Sequence, residues 1–348
     1  MKSGLVALVG RPNVGKSTLL NALLGQKVAI MSSKPQTTRS VIRGVLRRPQ
    51  GEAVLVDTPG LHKPRTLLGQ RLNDLVRGTL AEVDLVCFMV DAAAGIGRGD
   101  RFLATELASV DTPKLAVVNK MDSATRERLV PSLQAVTELG DWAEVVPISA
   151  LTGDQLDVLT ELIFRHLPEG PPLFPEGQVT DEPERHFVAE VIREKAIAVV
   201  REELPHSIAV VVEEMGPPDE VPTGPRERRA PAGRGEPAGR GGPGARGGPG
   251  ARGGPGGRGG PGGRGGASRP GEPEERRDLL VIRADLFVER SSQKPIILGR
   301  GGSVLRDIGT SARTELEQVL GTRIYLDLHV RVAKEWQRDP KLLTRLGY

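Results

Sequence analysis

Apolar residues along the first half of the chain gather in short runs: "GLVALVG" (4–10), "VIRGVLRR" (41–48), "EAVLVDT" (52–58), "DLVCFMVDA" (84–92), "PKLAVVNK" (113–120) and "AEVVPIS" (143–149). Runs of this length, rich in Val and bounded by turn residues, predict strands. Helical spacing separates most of them, at 16–24, 69–80, 99–110 and 155–167. In the last, Leu156, Leu159, Leu162 and Ile163 share one stripe. Strands alternating with helices predict an α/β domain over 1–167, a mostly parallel sheet with helices on both faces. Such sheets bind ligands in the loops at the carboxyl ends of their strands.

A proline-rich linker, "PEGPPLFPEGQVTDEPE" (168–184), ends this pattern. A smaller sheet-and-helix domain is expected over 185–348. A strand at 186–192 leads into an amphipathic helix, and strands follow at 207–214 and 279–289. Helical spacing then places Val304, Leu305, Ile308, Leu316 and Leu320 on one face, before a strand at 323–332 and a final helix. The two middle strands are separated by an insert at 216–278 made almost wholly of Gly, Pro, Arg and Glu.

That insert explains the bulk numbers. The chain has 348 residues, enough for two domains, and a hydrophobic share of 38% that the insert dilutes. Residues 226–270 hold ten Arg and two Glu, a net +8 against +4 for the whole chain, so the remainder is net negative. The single cysteine, Cys87, lies in an apolar run, which excludes a disulfide within the chain and predicts a buried thiol. No apolar run approaches the length of a membrane span, and the apolar start is too short for a signal peptide. A soluble cytoplasmic protein is expected.

The chemistry sits at the strand ends. "GRPNVGKST" (10–18) follows a strand and opens a helix, and it fits G-x-x-x-x-G-K-[ST]. The whole loop is assigned to a nucleotide: Gly10, Arg11, Pro12, Asn13, Val14, Gly15, Lys16, Ser17 and Thr18. Its glycines let backbone N–H groups curl around phosphate oxygens. Lys16 is placed for the β and γ phosphates and Ser17 for Mg²⁺. In "VDTPGL" (56–61), Asp57 is the expected acidic partner of Mg²⁺. Thr58 and Pro59 complete the turn, and Gly60 offers an N–H to a γ-phosphate. In "VVNKMD" (117–122), the Asp122 carboxylate suits the paired N–H donors of guanine, which adenine lacks. Asn119 joins it, and the Lys120 stem lies along the base. Ser149 and Ala150 of "ISAL" follow the sixth strand, and the Ala150 N–H suits the guanine oxygen. Within "SSKPQTTRS" (32–40), Thr38 is the expected switch threonine that closes on Mg²⁺, with Thr37 as the alternative.

Over 1–167 these motifs resemble the guanine-nucleotide switches of the Ras-like translation-factor class. Where Ras-like enzymes carry a water-positioning Gln, this chain has Leu61, so hydrolysis should be slow or rely on another group. In related GTPases lacking the Gln, an Asn at the place of Asn13 helps bind K⁺. Asn13 is otherwise a loop-stabilising side chain. The expected catalytic set is Asn13, Lys16, Thr38, Asp57 and Gly60.

A second glycine loop, Gly299-Arg300-Gly301-Gly302, lies between "PII" and a helix. It lacks the length and the Lys-Ser/Thr of a phosphate loop. It matches the G-x-x-G of KH domains, which clamps a single-stranded sugar–phosphate backbone. Ile297, Gly299, Arg300, Gly301, Gly302 and Ser303 are the expected RNA contacts. Ile296, Ile297, Val304 and Ile308 are the expected apolar groove.

"GRPNVGKSTLLNALLG", "KPQTTR", "DTPGLHKP", "NKMD", "VIREK", "ELPHSIAV", "GRGGSVLRDIG" and the ending "LGY" together resemble the Era family of bacterial GTPases, within the TrmE-Era-Der-like group. The resemblance covers nearly all of the chain outside 216–278. It implies a P-loop GTPase domain followed by a type II KH domain, GTP and GDP as ligands, and Mg²⁺ as cofactor. It further implies a monomer that binds near the 3′ end of small-subunit rRNA and assists assembly of that ribosomal subunit. Peripheral contact with the inner face of the membrane is also implied. Two other readings compete: a GTPase driving an RNA-modification partner, and a non-catalytic RNA-binding protein.

The insert departs from the family. Glycine takes every third place from Gly241 to Gly265, the collagen period, but Pro recurs only in alternate repeats. An extended, positively charged loop is expected, either a contributor to RNA binding or a passive spacer.

Overall fold

The computed structural model describes residues 1–32, 34, 37–61, 64, 66–200, 207–221 and 279–348. The repeats of the insert lie outside the described residues. The first sheet has six strands: β1 (Lys2–Gly10), β2 (Ile42–Arg48), β3 (Gly51–Asp57), β4 (Leu85–Asp91), β5 (Lys114–Asn119) and β6 (Glu144–Pro147). Their order across the sheet is β2-β3-β1-β4-β5-β6. Only β2 is antiparallel to its neighbour. Five helices flank the sheet: α1 (Lys16–Leu24), α2 (Leu67–Leu80), α3 (Arg98–Leu107), α4 (Arg126–Thr137) and α5 (Leu156–His166).

The central strands are apolar at nearly every position because both faces are covered. In β4, Leu85, Cys87 and Met89 enter one core while Val86, Phe88 and Val90 enter the other. Burial pushes the Cys87 thiol up to about 12, which keeps it inert. The edge strand β2 is not bare. Residues of the 168–184 segment run beside it: Val45 N donates to Val179 O at 2.7 Å and Thr180 Oγ1 to Arg43 O at 2.6 Å. Glu52 Oε1 accepts from the N–H groups of Leu173 and Phe174 at 2.7 and 3.0 Å. The segment therefore covers a sheet edge instead of hanging free.

The C-terminal half corrects one expectation. Residues 186–192 are not a strand. They belong to α6 (Glu184–Val199). The alternation that suggests a strand there also satisfies helical spacing. Val188, Val191, Ile192 and Ala196 face the second core, while Glu190, Arg193 and Glu194 are buried on another side of the helix. Two buried faces blur the period that pattern reading depends on. The rest follows as β7 (Ala209–Gly216), β8 (Leu279–Val288), α7 (Lys294–Leu298), α8 (Ser303–Leu320), β9 (Arg323–Val332) and α9 (Pro340–Arg345). The sheet order is β7-β8-β9, with β7/β8 antiparallel and β8/β9 parallel. The order helix–strand–strand–helix–helix–strand is that of a type II KH domain. Strand β7 runs on to Gly216, where the insert was expected to begin.

A smaller core joins the two halves. Leu68 and Leu72 of α2 pack with Ala209, Phe287, Trp336, Leu343 and Leu346.

The Phe88 ring stacks on Trp142 with centroids 5.0 Å apart and planes 1° from parallel. Phe88→Ala is expected to cost about 3–5 kcal/mol, lowering the urea midpoint at constant slope when unfolding is followed by circular dichroism.

Candidate functional site

The loop after β1 forms a tight cradle. Gly15 has φ 102°, and a Cβ there would stand 2.3 Å from Asn119 Nδ2, so only glycine fits. Lys16 is nearly buried, and its Nζ donates to Gly10 O at 3.1 Å and Arg11 O at 3.4 Å. Burial lowers the Lys16 pKa, partly offset by the Asp57 carboxylate. Several loop side chains turn away. Arg11 Nε lies 3.2 Å from Asp100 and its Nη2 donates to Gly95 O at 3.0 Å. Val14 is in the core, and Thr58 Oγ1 donates to Leu8 O at 2.8 Å. Their expected role toward a nucleotide is thereby confined to backbone atoms.

Three oxygen donors meet beside Lys16. Ser17 Oγ donates to Asp57 Oδ2 at 2.6 Å and lies 3.1 Å from Thr38 Oγ1, which reaches Asp57 Oδ2 at 3.4 Å. Thr37 is turned elsewhere, donating to Lys34 O at 2.7 Å. Burial raises the Asp57 pKa against the lowering pull of Lys16, Ser17, Thr38 and the Thr58 backbone. Its Oδ1 has no hydrogen-bond partner among the described residues. Two hydroxyls and a buried carboxylate are hard oxygen donors, the set that Mg²⁺ takes alongside phosphate oxygens. Pro12, Asn13, Thr18 and Gly60 line the same cleft. Leu61 points into the core with Val76 and Val86, so it offers nothing to a water molecule.

The loops after β5 and β6 form the other end. Asn119 Nδ2 donates to Val14 O at 2.8 Å, tying this loop to the phosphate cradle. Asp122 Oδ1 accepts from Ser149 Oγ at 2.5 Å, which fixes the carboxylate. The Ala150 N–H, expected on a guanine oxygen, donates to Asn119 Oδ1 at 2.9 Å. Lys120 Nζ donates to Asn13 O and to Asp91 Oδ2, both at 2.7 Å. Burial pushes the Asp91 carboxyl up, but Lys120 and the Ala93 and Ala94 N–H groups outweigh it and hold it low. Asp91 and Asp100 escape motif reading. They touch the loops only because β4 ends and α3 begins beside them.

The second glycine loop is a turn between α7 and α8. Gly299, Gly301 and Gly302 have φ of 69°, 59° and 78°. A Cβ on Gly301 or Gly302 would meet nothing within 4 Å, so this backbone faces open space. Arg300 is exposed, and Ser303 half-buried opens α8. Ile297 and Ile308 correct an expectation: both are fully buried core residues and cannot touch RNA with their side chains. The groove beside the loop is lined instead by Leu305, Leu326 and Leu328, with Arg306 and Arg313 at its rim. Helical periodicity marks Ile308 as apolar but cannot say which apolar residues face inward.

Comparison with known proteins agrees with this layout. Residues 5–120 match the family model described as 50S ribosome-binding GTPase, and residues 273–337 the KH domain model. The chain is 48% identical to GTPase Era of Streptomyces coelicolor, covering all of this chain and 95% of that one. The chain belongs to the Era family of GTPases. With GTPase Era of Mycobacterium avium the identity is 46%, over 100% of this chain and 99% of the other. A crystal structure of an Aquifex aeolicus Era variant bound to GDP and AlF₄⁻ superposes with TM-score 0.81 at 35% identity, covering 100% and 99% of the two chains. Era in complex with MgGDPNP and nucleotides 1506–1542 of 16S ribosomal RNA matches with the same score, identity and coverage. As an Era GTPase, this chain carries a P-loop GTPase domain followed by a KH domain. Among its described residues no helix is long and apolar enough to cross a membrane. No cluster of three His, Cys, Asp or Glu side chains suited to a metal occurs among them either.

Replacing the fixed carboxylate, Asp122→Asn, turns an acceptor pair into a mixed donor and acceptor. The variant is expected to lose GTP affinity by roughly 10²-fold or more and gain affinity for xanthosine triphosphate, measured by competition titration.

Proposed function

We propose that this Era GTPase is a switch that binds small-subunit rRNA near its 3′ end and assists assembly and maturation of the small ribosomal subunit. The supporting observation is the open Gly299–Gly302 turn between α7 and α8. It sits beside an apolar groove rimmed by Arg306 and Arg313, on the same chain as a phosphate cradle. Bare backbone with positive charge suits a sugar–phosphate strand, and the groove suits unstacked bases. The Era structure holding nucleotides 1506–1542 of 16S rRNA supports the choice of RNA. The division into a nucleotide domain at 1–167, a linker at 168–184 and an RNA-binding domain at 185–348 belongs to this proposal, as do the monomeric state, a cytoplasmic location and peripheral contact with the membrane.

The nucleotide is held by Gly10–Thr18, Asp57–Gly60, Asn119, Lys120, Asp122, Ser149 and Ala150. Ser17, Thr38 and Asp57 would hold Mg²⁺, which supplies positive charge to the β and γ phosphates when bound. Lys16, beside them, would add its own positive charge. Because Leu61 is buried, the polarity missing at that position would come from another group, and Asn13 is the residue that would hold a K⁺ supplying positive charge there. Asn13 adopts φ 65° at the mouth of the loop, and its carbonyl is already fixed by Lys120.

Two outcomes test these readings. Gly301→Asp with Gly302→Asp places side chains and negative charge where the RNA backbone would lie. This variant is expected to weaken binding of an RNA covering nucleotides 1506–1542 by roughly tenfold or more, with GTP affinity unchanged; unaltered RNA binding in a filter assay would remove the loop from the interface. Exchanging K⁺ for Na⁺ is expected to slow single-turnover hydrolysis several-fold without loss of GTP affinity, and Asn13→Ala to abolish that salt dependence. Equal rates in both salts would leave Asn13 a structural role only.

A further inference from the structure

The switch threonine is suspended between two anchors that both belong to the C-terminal half. On one side, the Thr37 carbonyl accepts from Arg193 Nη2 of α6. On the other, Arg39 Nη1 donates to Ile208 O at 2.7 Å, and its guanidinium lies 5.5 Å and 5.8 Å from the ring centres of Trp336 and Tyr348. Ser40 Oγ lies 3.1 Å from His186 Nε2. Ile30, at the entry to the segment, packs in the core of the C-terminal half. Between the anchors, Thr38 Oγ1 reaches Ser17 and Asp57.

The α6 groups share one face. His186, Glu190 and Arg193 are spaced by four and three residues, one above another along the helix. Arg193 is fully buried, and Glu190 grips it through two bonds, Nε to Oε1 at 2.7 Å and Nη2 to Oε2 at 2.5 Å. A bidentate grip fixes the plane of the guanidinium, and with it the direction of the N–H that meets Thr37. A buried ion pair contributes little net stability, because desolvation consumes most of the attraction. Its consequence here is directional.

We infer that Arg193, held by Glu190, is a positioning residue for GTP hydrolysis: it fixes the Thr37 carbonyl and so sets Thr38 Oγ1 on the metal site. The first helix of the KH domain thereby forms part of the hydrolytic machinery of the GTPase domain. The inference rests on Thr38 acting at the metal site, a reading that Thr38→Ala tests separately.

The test uses the full chain. Arg193→Met keeps the aliphatic stem and removes the donors, but it strands Glu190 in a buried site. The double variant Arg193→Met with Glu190→Met replaces both partners by apolar groups and avoids that penalty. Both are expected to slow single-turnover GTP hydrolysis by at least about tenfold, the scale on which displaced positioning groups act. The Mg²⁺ concentration for half-maximal rate should rise several-fold. Affinity for GDP, which lacks the γ-phosphate that the switch segment closes on, should stay within about twofold of the wild type. Arg193→Lys, which keeps a donor but not the fork, should recover part of the rate. A folded double variant with wild-type rate and Mg²⁺ dependence would overturn the inference, as would equal losses of GDP affinity and rate. Wild-type hydrolysis by Thr38→Ala would overturn both readings; a slow Thr38→Ala beside normal Arg193 variants would overturn only this one.

Discussion

The arrangement turns on the placement of a single hydroxyl. Thr38 Oγ1 stands within hydrogen-bond range of Ser17 and Asp57, yet it belongs to no strand or helix that would hold it there. Residues 37–40 form no regular element, so they have no ladder of backbone hydrogen bonds to fix them. Their fixed points are borrowed: Arg193 for one carbonyl, and Trp336, Tyr348 and Ile208 around Arg39. A segment fixed from outside can be released from outside, which is the physical requirement for a switch.

The joint between the halves is built from two unlike materials. Around α2 it is apolar, with Leu68 and Leu72 against Trp336, Leu343 and Leu346. Around α6, Ile30 gives apolar contact and ion pairs are added to it. Lys27 lies 2.5 Å from Glu194 and also meets Glu315, which in turn meets Lys195. Burial raises the Glu315 carboxyl, but the two ammonium groups outweigh it and hold it low. Likewise burial raises the Glu190 carboxyl and Arg193 holds it low. Apolar contact gives adhesion without direction. Charged groups gripped at both oxygens give direction at little net gain. At the switch segment that direction comes from Arg193, gripped by Glu190 and donating to the Thr37 carbonyl.

The chain's local chemistry was legible without coordinates wherever a motif is contiguous. Glycine spacing, Lys16, Ser17, Asp57, Asn119 and Asp122 announce a guanine-nucleotide site because each role needs one residue type at one spacing. The central strands of the first sheet were legible because burial on both faces leaves unbroken apolar runs, and the edge strands β2 and β6 because short Val-rich runs bounded by turn residues mark them. Gly299–Gly302 was legible as a turn that lets a backbone come close. In each case the information is local, carried by conformational freedom, charge or periodicity within a few residues.

What only the tertiary structure decided depends on which surfaces meet. Residues 186–192 became helix because α6 is buried on an apolar face and a charged face at once, so no single period marks it. Ile297 and Ile308 went to the core and Leu305, Leu326 and Leu328 to the groove, since apolar character is the same on both sides of a helix until a sheet covers one. The 168–184 segment became cover for an exposed strand edge because β2 lies last in the sheet, a fact of strand order. Arg193 and Thr37 are 156 residues apart, and no spacing connects them. They meet because folding brings one buried donor to one carbonyl, and a hydrogen bond acts over ångströms of space with no regard to distance along the chain.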